Sequence, residues 1–378
     1  MTNSGLDEYP RVVIIILNFN GWDDTSACLE SIYNLTYPNW EILLVDNGST
    51  DDFTITLRSS KNPEVLIDSR ILSSQNSKTI IDNQQLLHYY EQSKKVTASS
   101  LEKKQKISFL PKRLSVLLLK HNYGFTGGNN IAINHVLNEK KAEFVLLLNN
   151  DTIVDKQSLT ELIKVAWSNK KIGFVGPQIY EIADTKSAEV ISSAGGKFNI
   201  NTGRSGHIGN KEIENGQYDH IRAVDFIEGT SILARTQMIK DVGLLNPFYF
   251  TYWEDVEWCL RGREQGYTSV HAPAAKIWHK IGYLKKNRTS NAYYYYGRNL
   301  ILLIKQHANS KQKAAFAFCF LGAEIWFNLL ITLKTSRSIK VSLRYLRGIL
   351  DGFLSNSEFF IDCNVESKRL DNSSKKDK

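Results

Sequence analysis

The segment Tyr252-Trp-Glu-Asp-Val-Glu-Trp258 sets two adjacent carboxyls, Glu254 and Asp255, at the head of a helical pattern carried by Val256, Cys259 and Leu260. Acids in a first helical turn ordinarily cap it and oppose its dipole. Around these two stand Trp253, Trp258, Phe248, Tyr249, Phe250 and Tyr252, side chains that stack on sugar rings and exclude water. A carboxylate in that setting accepts a hydroxyl proton. A third acid, Asp151, closes the run Leu146-Leu-Leu-Asn-Asn-Asp151, where it suits a hard divalent cation bridging diphosphate oxygens and equally suits a turn or helix cap. Asn122-Tyr-Gly-Phe-Thr-Gly-Gly-Asn-Asn130 leads into a helix over Ile131, Ala132 and Val136, so Gly127 and Gly128 sit at a helix start ready for phosphate. Its glycines at 124, 127 and 128 spell neither GxGxxG nor a GK[ST] loop, which disfavours dinucleotide and ATP sites. His279, in Ile277-Trp-His-Lys280, taken alone reads as a buried histidine sooner than a metal ligand.

These residues need a scaffold that brings them together, and the hydrophobic pattern supplies one. Val12 to Leu17 is a continuous β-branched run closed by Asn18-Phe-Asn-Gly21, the mark of a strand buried on both faces. Strands follow at Glu41–Val45, Leu114–Leu119 and Phe144–Leu148, each ending in a polar loop and succeeded by helical spacing. The alternation predicts an α/β domain with a doubly wound, mostly parallel sheet. Ligands bind such sheets at the carboxyl ends of the strands, here the loops at Asn18, Asp46, Asn122 and Asn149. The stretch Ser59 to Arg113, dense in Ser, Lys, Gln and Asn, is longer than an ordinary connection and reads as an insertion, with Ile80, Ile81, Leu86, Leu87 and Tyr90 as a weak helical pattern.

Composition narrows the class. The 378 residues are 42% hydrophobic and 23% charged, too apolar for a disordered chain. Cys28, Cys259, Cys319 and Cys363 form no CxxC pair, and Val12–Leu17 is too short for a secretory signal, so a reducing, cytosolic compartment is expected. The net charge of +8 is uneven: residues 276–378 carry 19 basic and 7 acidic side chains, leaving the rest slightly acidic. A basic tail seeks an anionic partner. Ala314 to Leu333 is apolar apart from Glu324, Asn328 and Thr332, long enough to cross a bilayer, yet a central charge and the basic residues after it suit lying in the interface as well. An ordinary packed helical hairpin is the third reading.

In order and combination, these motifs resemble the inverting nucleotide-sugar glycosyltransferases of family 2, most closely their bacterial rhamnosyltransferase-like members. The likeness spans about residues 11–305 and rests on Val12–Gly21, Val45-Asp-Asn-Gly-Ser-Thr-Asp51, the Asn122–Asn130 loop, Leu147-Leu-Asn-Asn-Asp-Thr152, Val175-Gly-Pro177, Glu228-Gly-Thr-Ser-Ile-Leu-Ala-Arg235, Trp253-Glu-Asp-Val-Glu257 and Trp278-His-Lys280. The resemblance implies a GT-A fold over residues 1–290 and a basic, apolar helical extension over 291–378. It implies transfer of a sugar, with rhamnose suggested by those members, from a dTDP- or UDP-sugar to a glycan or lipid-linked acceptor in cell-surface polysaccharide synthesis. Asn18, Asp46, Asn47 and Gly48 would then hold the base and ribose, and Asn122, Gly127, Gly128 and Asn129 the ribose and diphosphate. Asp151, with Asn149 and Asn150, stands where the family has its DxD; the first acid is here an asparagine, so a divalent cation, manganese or magnesium, would rest on Asp151 with His279. Asp255 matches the catalytic base, while Gly229, Thr230, Arg235, Trp253 and Glu254 would shape the acceptor side. The implied place is the cytoplasmic face of the plasma membrane, peripherally bound, with an anionic membrane surface and no nucleic acid as partner. Two other classes fit less of the sequence: a membrane-docked sugar-nucleotide or glycan-binding protein with weak or lost catalysis, and a sugar nucleotidyltransferase, which would need basic residues near the amino terminus beyond Arg11.

Overall fold

A computed structural model describes residues 9–51, 114–139, 141–182, 189–280, 290–336 and 338–355. The expected insertion at 59–113, including its weak helical pattern, lies outside the described residues.

Strand β1 (Val12–Asn18) shows why the sheet forms where the apolar runs are. Val13 and Ile15 join one hydrophobic cluster and Val12, Ile14 and Ile16 another, so each face of the strand meets its own layer. β2 (Trp40–Asp46) divides in the same way, Leu43 and Val45 to one side and Ile42 and Leu44 to the other. The remaining strands are β3 (Leu114–Leu118), β4 (Phe144–Asn149), β5 (Thr152–Val154), β6 (Ile172–Glu181), β7 (Ile191–Ser193), β8 (Gly196–Asn199), β9 (Arg204–His207), β10 (Arg222–Val224), β11 (Ser231–Arg235) and β12 (Thr268–His279). The main sheet runs β10-β12-β6-β11-β4-β1-β2-β3, with β5 on β12 and β7 on β6, while β8 and β9 make a separate hairpin. β1 pairs in parallel with β2 and β4, β2 with β3, and β12 with β6. β11 is inserted antiparallel between β4 and β6, and β10, β5 and β7 also pair antiparallel, on β12 and β6. The expected doubly wound, mostly parallel α/β sheet is therefore present.

Helices α1 (Trp22–Ile32) and α3 (Ser158–Ser168) cover one face, while α2 (Gly124–Glu139), α4 (Thr236–Val242) and α5 (Glu254–Glu264) cover the other. Four helices complete the chain: α6 (Ser290–His307), α7 (Ser310–Cys319), α8 (Ile325–Ser336) and α9 (Ile339–Leu354), with a π-helical turn at Phe320–Glu324 between α7 and α8. They do not stand apart from the sheet domain. Leu300 to Ile304 of α6, Phe316, Phe320, and Tyr345 and Ile349 of α9 belong to the same cluster as Val13 and Ile15. α9 lies tightly on α6, where Gly348 and Gly352 leave no room for a Cβ against the Tyr294 and Arg298 carbonyls. The Lys305 ammonium donates to the Gly352, Phe353 and Ser355 carbonyls, satisfying the acceptors that α9 leaves open at its end.

Candidate active site

Parallel pairing lines up the polar strand ends. Asn18 lies beside Asp46, and Leu17 beside Asn149, so the carboxyl ends of β1, β2 and β4 open on one crevice. Asn18 is buried and donates to the Asp46 carboxylate at 3.2 Å, while its own oxygen accepts from the Gly21 amide and the Thr25 hydroxyl. The Ser49 amide donates to the other Asp46 oxygen. Asn150 reaches across to Gly21 and Thr25, which ties the end of β4 to the start of α1. Asn149 donates its amide to the Thr230 carbonyl of the neighbouring strand entry.

Asp151 and His279 lie side by side. The imidazole Nε2 is 3.1 Å from the Asp151 carboxylate, and both side chains are nearly buried. On the far side of the ring, Nδ1 lies 3.4 Å from the Thr230 hydroxyl, which donates to Glu228 at 2.8 Å. Glu228 in turn faces His207 at 3.4 Å. A chain of polar groups thus runs from Asp151 through His279, Thr230 and Glu228 to His207.

Asp255 hangs from the same segment. Gly229 donates its amide to one carboxylate oxygen at 2.9 Å, and the Val256 amide donates to the other at 2.8 Å. Burial pushes the Asp255 carboxyl above its ordinary range, a rise that the two amides and then His207 lessen. Glu254, buried beside it, is pushed well above the ordinary range by burial and then by the Asp255 charge. Two adjacent acids thus differ in setting: Glu254 is buried, whereas Asp255 is held by two amide donors and partly open to the crevice.

The backbone just before this pair is strained. Phe250, Tyr252 and Trp253 all have positive φ, at 58°, 69° and 73°, a region that β-carbon-bearing residues rarely occupy. What holds them there is α6. The fully buried Asn299 amide donates to the Tyr249, Thr251 and Tyr252 carbonyls at 2.7, 2.8 and 2.8 Å, and the Trp253 indole donates to the Tyr296 carbonyl. Phe250 stacks on Tyr295, with the Arg298 guanidinium over the same ring.

Several expected residues are placed otherwise. Arg235 is not at the site: because β11 runs antiparallel to β4, Ser231 pairs with Leu148 at the crevice end and Arg235 with Phe144 at the opposite end. There it donates to the Ile172 and Ala166 carbonyls and ties β11 to the end of α3. Trp253, Trp258 and Tyr249 are buried in the core, leaving Phe248, Phe250 and Tyr252 as the aromatic groups with accessible surface. The Asn122–Asn130 loop does not present open amides at Tyr123, Gly124 or Thr126. These donate to the Asn47 side chain, the Asn122 side chain and the Phe250 carbonyl. Gly124 has φ +73°, and a Cβ there would sit 2.5 Å from the Phe250 carbonyl oxygen. Gly127 packs under the Tyr123 side chain, Gly128 against Leu17 and Asn47, and the Asn129 amide folds back on the Phe125 carbonyl. The loop stitches the β1 and β2 ends to the strained segment, with Asn47 bonded to both Asn122 and Gly124 as the knot. Gly48, at φ +78°, lies against the backbone of His121 and Asn122, which fixes that turn beside the loop. Sequence reasoning missed Glu228, His207 and Asn299. Glu228 lies inside a quoted motif, whereas His207 and Asn299 carry no local signal.

Among the described residues, no three of His, Cys, Asp and Glu gather as a metal cluster. One carboxylate and one imidazole is a donor set that suits a divalent ion taking its other ligands from phosphate oxygens and water.

Comparison with known proteins gives the family and the fold. A segment is 29% identical over 144 residues to the low-salt glycan biosynthesis hexosyltransferase Agl10 of Haloferax volcanii, 38% of this chain and 44% of that protein. Another is 22% identical over 206 residues to the galactofuranosyltransferase GlfT2 of Mycolicibacterium smegmatis, 49% of this chain and 30% of that one. The chain thus spans less than half the length of these relatives. The crystal structure of GalNAc-T7 with UDP, GalNAc and Mn2+ superposes with a TM-score of 0.52 at 12% identity, over 79% of this chain and 48% of the other, and shows the shared GT-A fold. The family model for glycosyl transferase family 2 matches residues 13–68. That for glycosyltransferase-like family 2 matches residues 90–307, more than half of the molecule, and this chain belongs to that family.

Proposed function

We propose that this protein is an inverting glycosyltransferase that moves a hexose, rhamnose by resemblance, from a dTDP- or UDP-sugar to a hydroxyl of a glycan or lipid-linked acceptor in cell-surface polysaccharide synthesis. The observation that carries the reading is Asp255: an ionisable carboxylate held by two backbone amides on a strained loop, joined through Gly229 and Thr230 to the Asp151–His279 pair. The catalytic unit is residues 1–290 together with α6, which packs into the same core, and the rest of 291–378 is its basic extension, working at the cytoplasmic face of the membrane.

In this reading the base and ribose rest against Asn18, Asp46 and the Asn47-Gly48 turn, with Asn122, Asn149 and Asn150 alongside. Asp255 takes the proton from the acceptor hydroxyl, whose oxygen attacks the anomeric carbon on the side opposite the nucleoside diphosphate; the carbon–oxygen bond to the diphosphate breaks and the centre inverts. In-line approach needs reacting atoms within about 3–3.5 Å, so the placement of Asp255 counts as much as its basicity. Asp151 and His279 would hold a manganese or magnesium ion, which supplies neutralisation of the charge growing on the leaving diphosphate.

Asp255→Asn tests the reading. Turnover should fall by ~10²-fold or more, the scale of lost general-base catalysis, with dTDP- or UDP-sugar affinity nearly unchanged. Wild-type turnover in that variant removes Asp255 from the role. Donor binding without turnover in the parent protein, across acceptors, would favour the sugar-nucleotide-binding alternative.

A further inference from the structure

The helices at the end of the described chain reverse the usual amphipathic order. Ser310–Lys334 has a hydropathy of 1.8 in its most apolar window, yet only 17% of that window is buried. Phe318, Trp326, Phe327 and Leu330 are 83%, 61%, 59% and 66% exposed. The side turned to the protein seats Phe316 and Phe320 in the core and carries a polar stripe beside them. Glu324, Asn328 and Thr332, four residues apart, share one stripe; Glu324 meets the Arg204 side chain of β9 at 2.6 Å, and Asn328 and Thr332 donate back to the Glu324 and Asn328 carbonyls. α9 continues the apolar surface with exposed Leu343, Leu350, Phe353 and Leu354. A helix pair with its polar stripe inside and its aromatic face outside is made for an apolar medium.

Charge identifies that medium. Lys311, Lys313, Lys334, Lys340, Arg344 and Arg347 are exposed around the apolar face, whereas the acids Glu324 and Asp351 are engaged by Arg204 and Arg347. A second copy of the chain would bring the same six cations against these. Phospholipid phosphates complement them. We infer that α7, α8 and α9 form a seat that lies in the interfacial plane of an anionic bilayer, aromatic face in the acyl boundary, without crossing it. Crossing is opposed by the attachment: Glu324, in the middle of the 310–334 helix, is joined to the folded body through Arg204, and α9 turns back onto α6. The seat also shares a wall with the catalytic loop. A cavity of about 200 Å³ lies between them, lined by Tyr252, Tyr293, Tyr296, Asn328, Ile331 and Tyr345. This deepens the lipid-linked acceptor reading and rests on it only for that consequence.

The test is flotation of the full chain with phosphatidylcholine vesicles, with and without phosphatidylglycerol, alongside calorimetric binding of UDP and dTDP. Recovery should rise ~tenfold or more with the anionic lipid and fall in about 0.5 M salt. The double variant Trp326→Ser with Leu330→Ser should lose ~tenfold of that recovery and keep nucleotide binding. A cysteine probe placed by Ser338→Cys, measured against the parent chain, should stay open to an impermeant maleimide added outside the vesicles. A folded, nucleotide-binding protein that ignores anionic vesicles overturns the seat; so does a Ser338→Cys probe protected by vesicles, which means crossing, and so does a dimer in lipid-free solution that the double variant dissolves. Vesicle binding without nucleotide binding supports the seat while the transferase reading fails.

Discussion

Asn299→Ala separates the positioning of Asp255 from its chemistry. Asn299 is fully buried in α6, far from Asp255 in sequence, and its amide serves three carbonyls of the segment that delivers Glu254 and Asp255. A net hydrogen bond contributes about 0.5–1.5 kcal/mol, and a buried carbonyl left without a donor costs about 1–3 kcal/mol. Truncation should therefore lower stability by roughly 2–4 kcal/mol. The strain adds direction to that loss: Phe250, Tyr252 and Trp253 at positive φ hold on the order of 1–3 kcal/mol each, which is released only if the loop relaxes. Relaxation moves Asp255, and a misplacement near 1 Å costs about 10²-fold in rate. The strand ends at Asn18 and Asp46 are held by their own bonds and should keep their place. The expected outcome is kcat lower by ~10- to 100-fold with donor KM within about threefold, measured in transfer assays on protein shown by circular dichroism to be folded, with urea denaturation giving the stability change. A folded Asn299→Ala chain whose kcat stays within about twofold of the parent would refute the clamp.

Other consequences follow from the same geometry. Because His207 draws the Asp255 carboxyl down and Glu228 pushes it up, His207→Ala should move the acidic limb of the kcat/KM–pH profile to higher pH and Glu228→Gln to lower pH; shifts of the same sign in both would separate these residues from the base. His271, buried and held to about 3 by burial and then by Arg222, takes up a proton in the unfolded chain near 6.5 but not in the folded one, so it subtracts ~1.4 kcal/mol of stability per pH unit as pH falls through that window. His271→Gln should flatten the slope of unfolding free energy between about pH 6 and 4.5, and an unchanged slope would contradict the assignment. Gly124→Ala should cost about 2–5 kcal/mol, combining ~1–2 for a β-carbon at positive φ with ~1–3 for the clash on Phe250; a variant as stable as the parent would mean the loop yields there.

How far the sequence reaches is clearest where one pattern serves two structures. The β-branched runs required buried parallel strands, since apolar residues at both parities leave no wet face, and β1, β2 and β4 follow that rule. The acids were legible too: Asp151 stands in the turn just past β4, Glu254 and Asp255 open a helix, and strand ends in a parallel sheet gather on one side. Arg235 was misplaced because periodicity tells that a strand exists and not which way it runs. Reversing β11 sends its first residue to the crevice and its last to the far end. The glycines of the Asn122 loop were ambiguous for a related reason. A helix start whose amides are aimed at phosphate and one whose amides are spent on Asn47, Asn122 and Phe250 need the same small residues, and only the tertiary partner decides.

The same limit explains Asn299 and His207, whose importance lies wholly in what they face after folding. Asn299 binds the loop that carries Asp255 to a helix beyond the strand that carries His279, so in the proposed reading the first helix of the extension is part of the scaffold for the base. The helices that follow rest on it through Gly348, Gly352 and Lys305. Contact of the outer apolar face with a bilayer would therefore load the element that fixes Asp255, and lipid-bound protein should hold that loop more firmly than the free form. Hydrogen exchange of the Thr251–Val256 amides, measured with and without phosphatidylglycerol vesicles, reads this directly: protection should increase by ~threefold or more on binding, and equal exchange in the two states would uncouple the seat from the base.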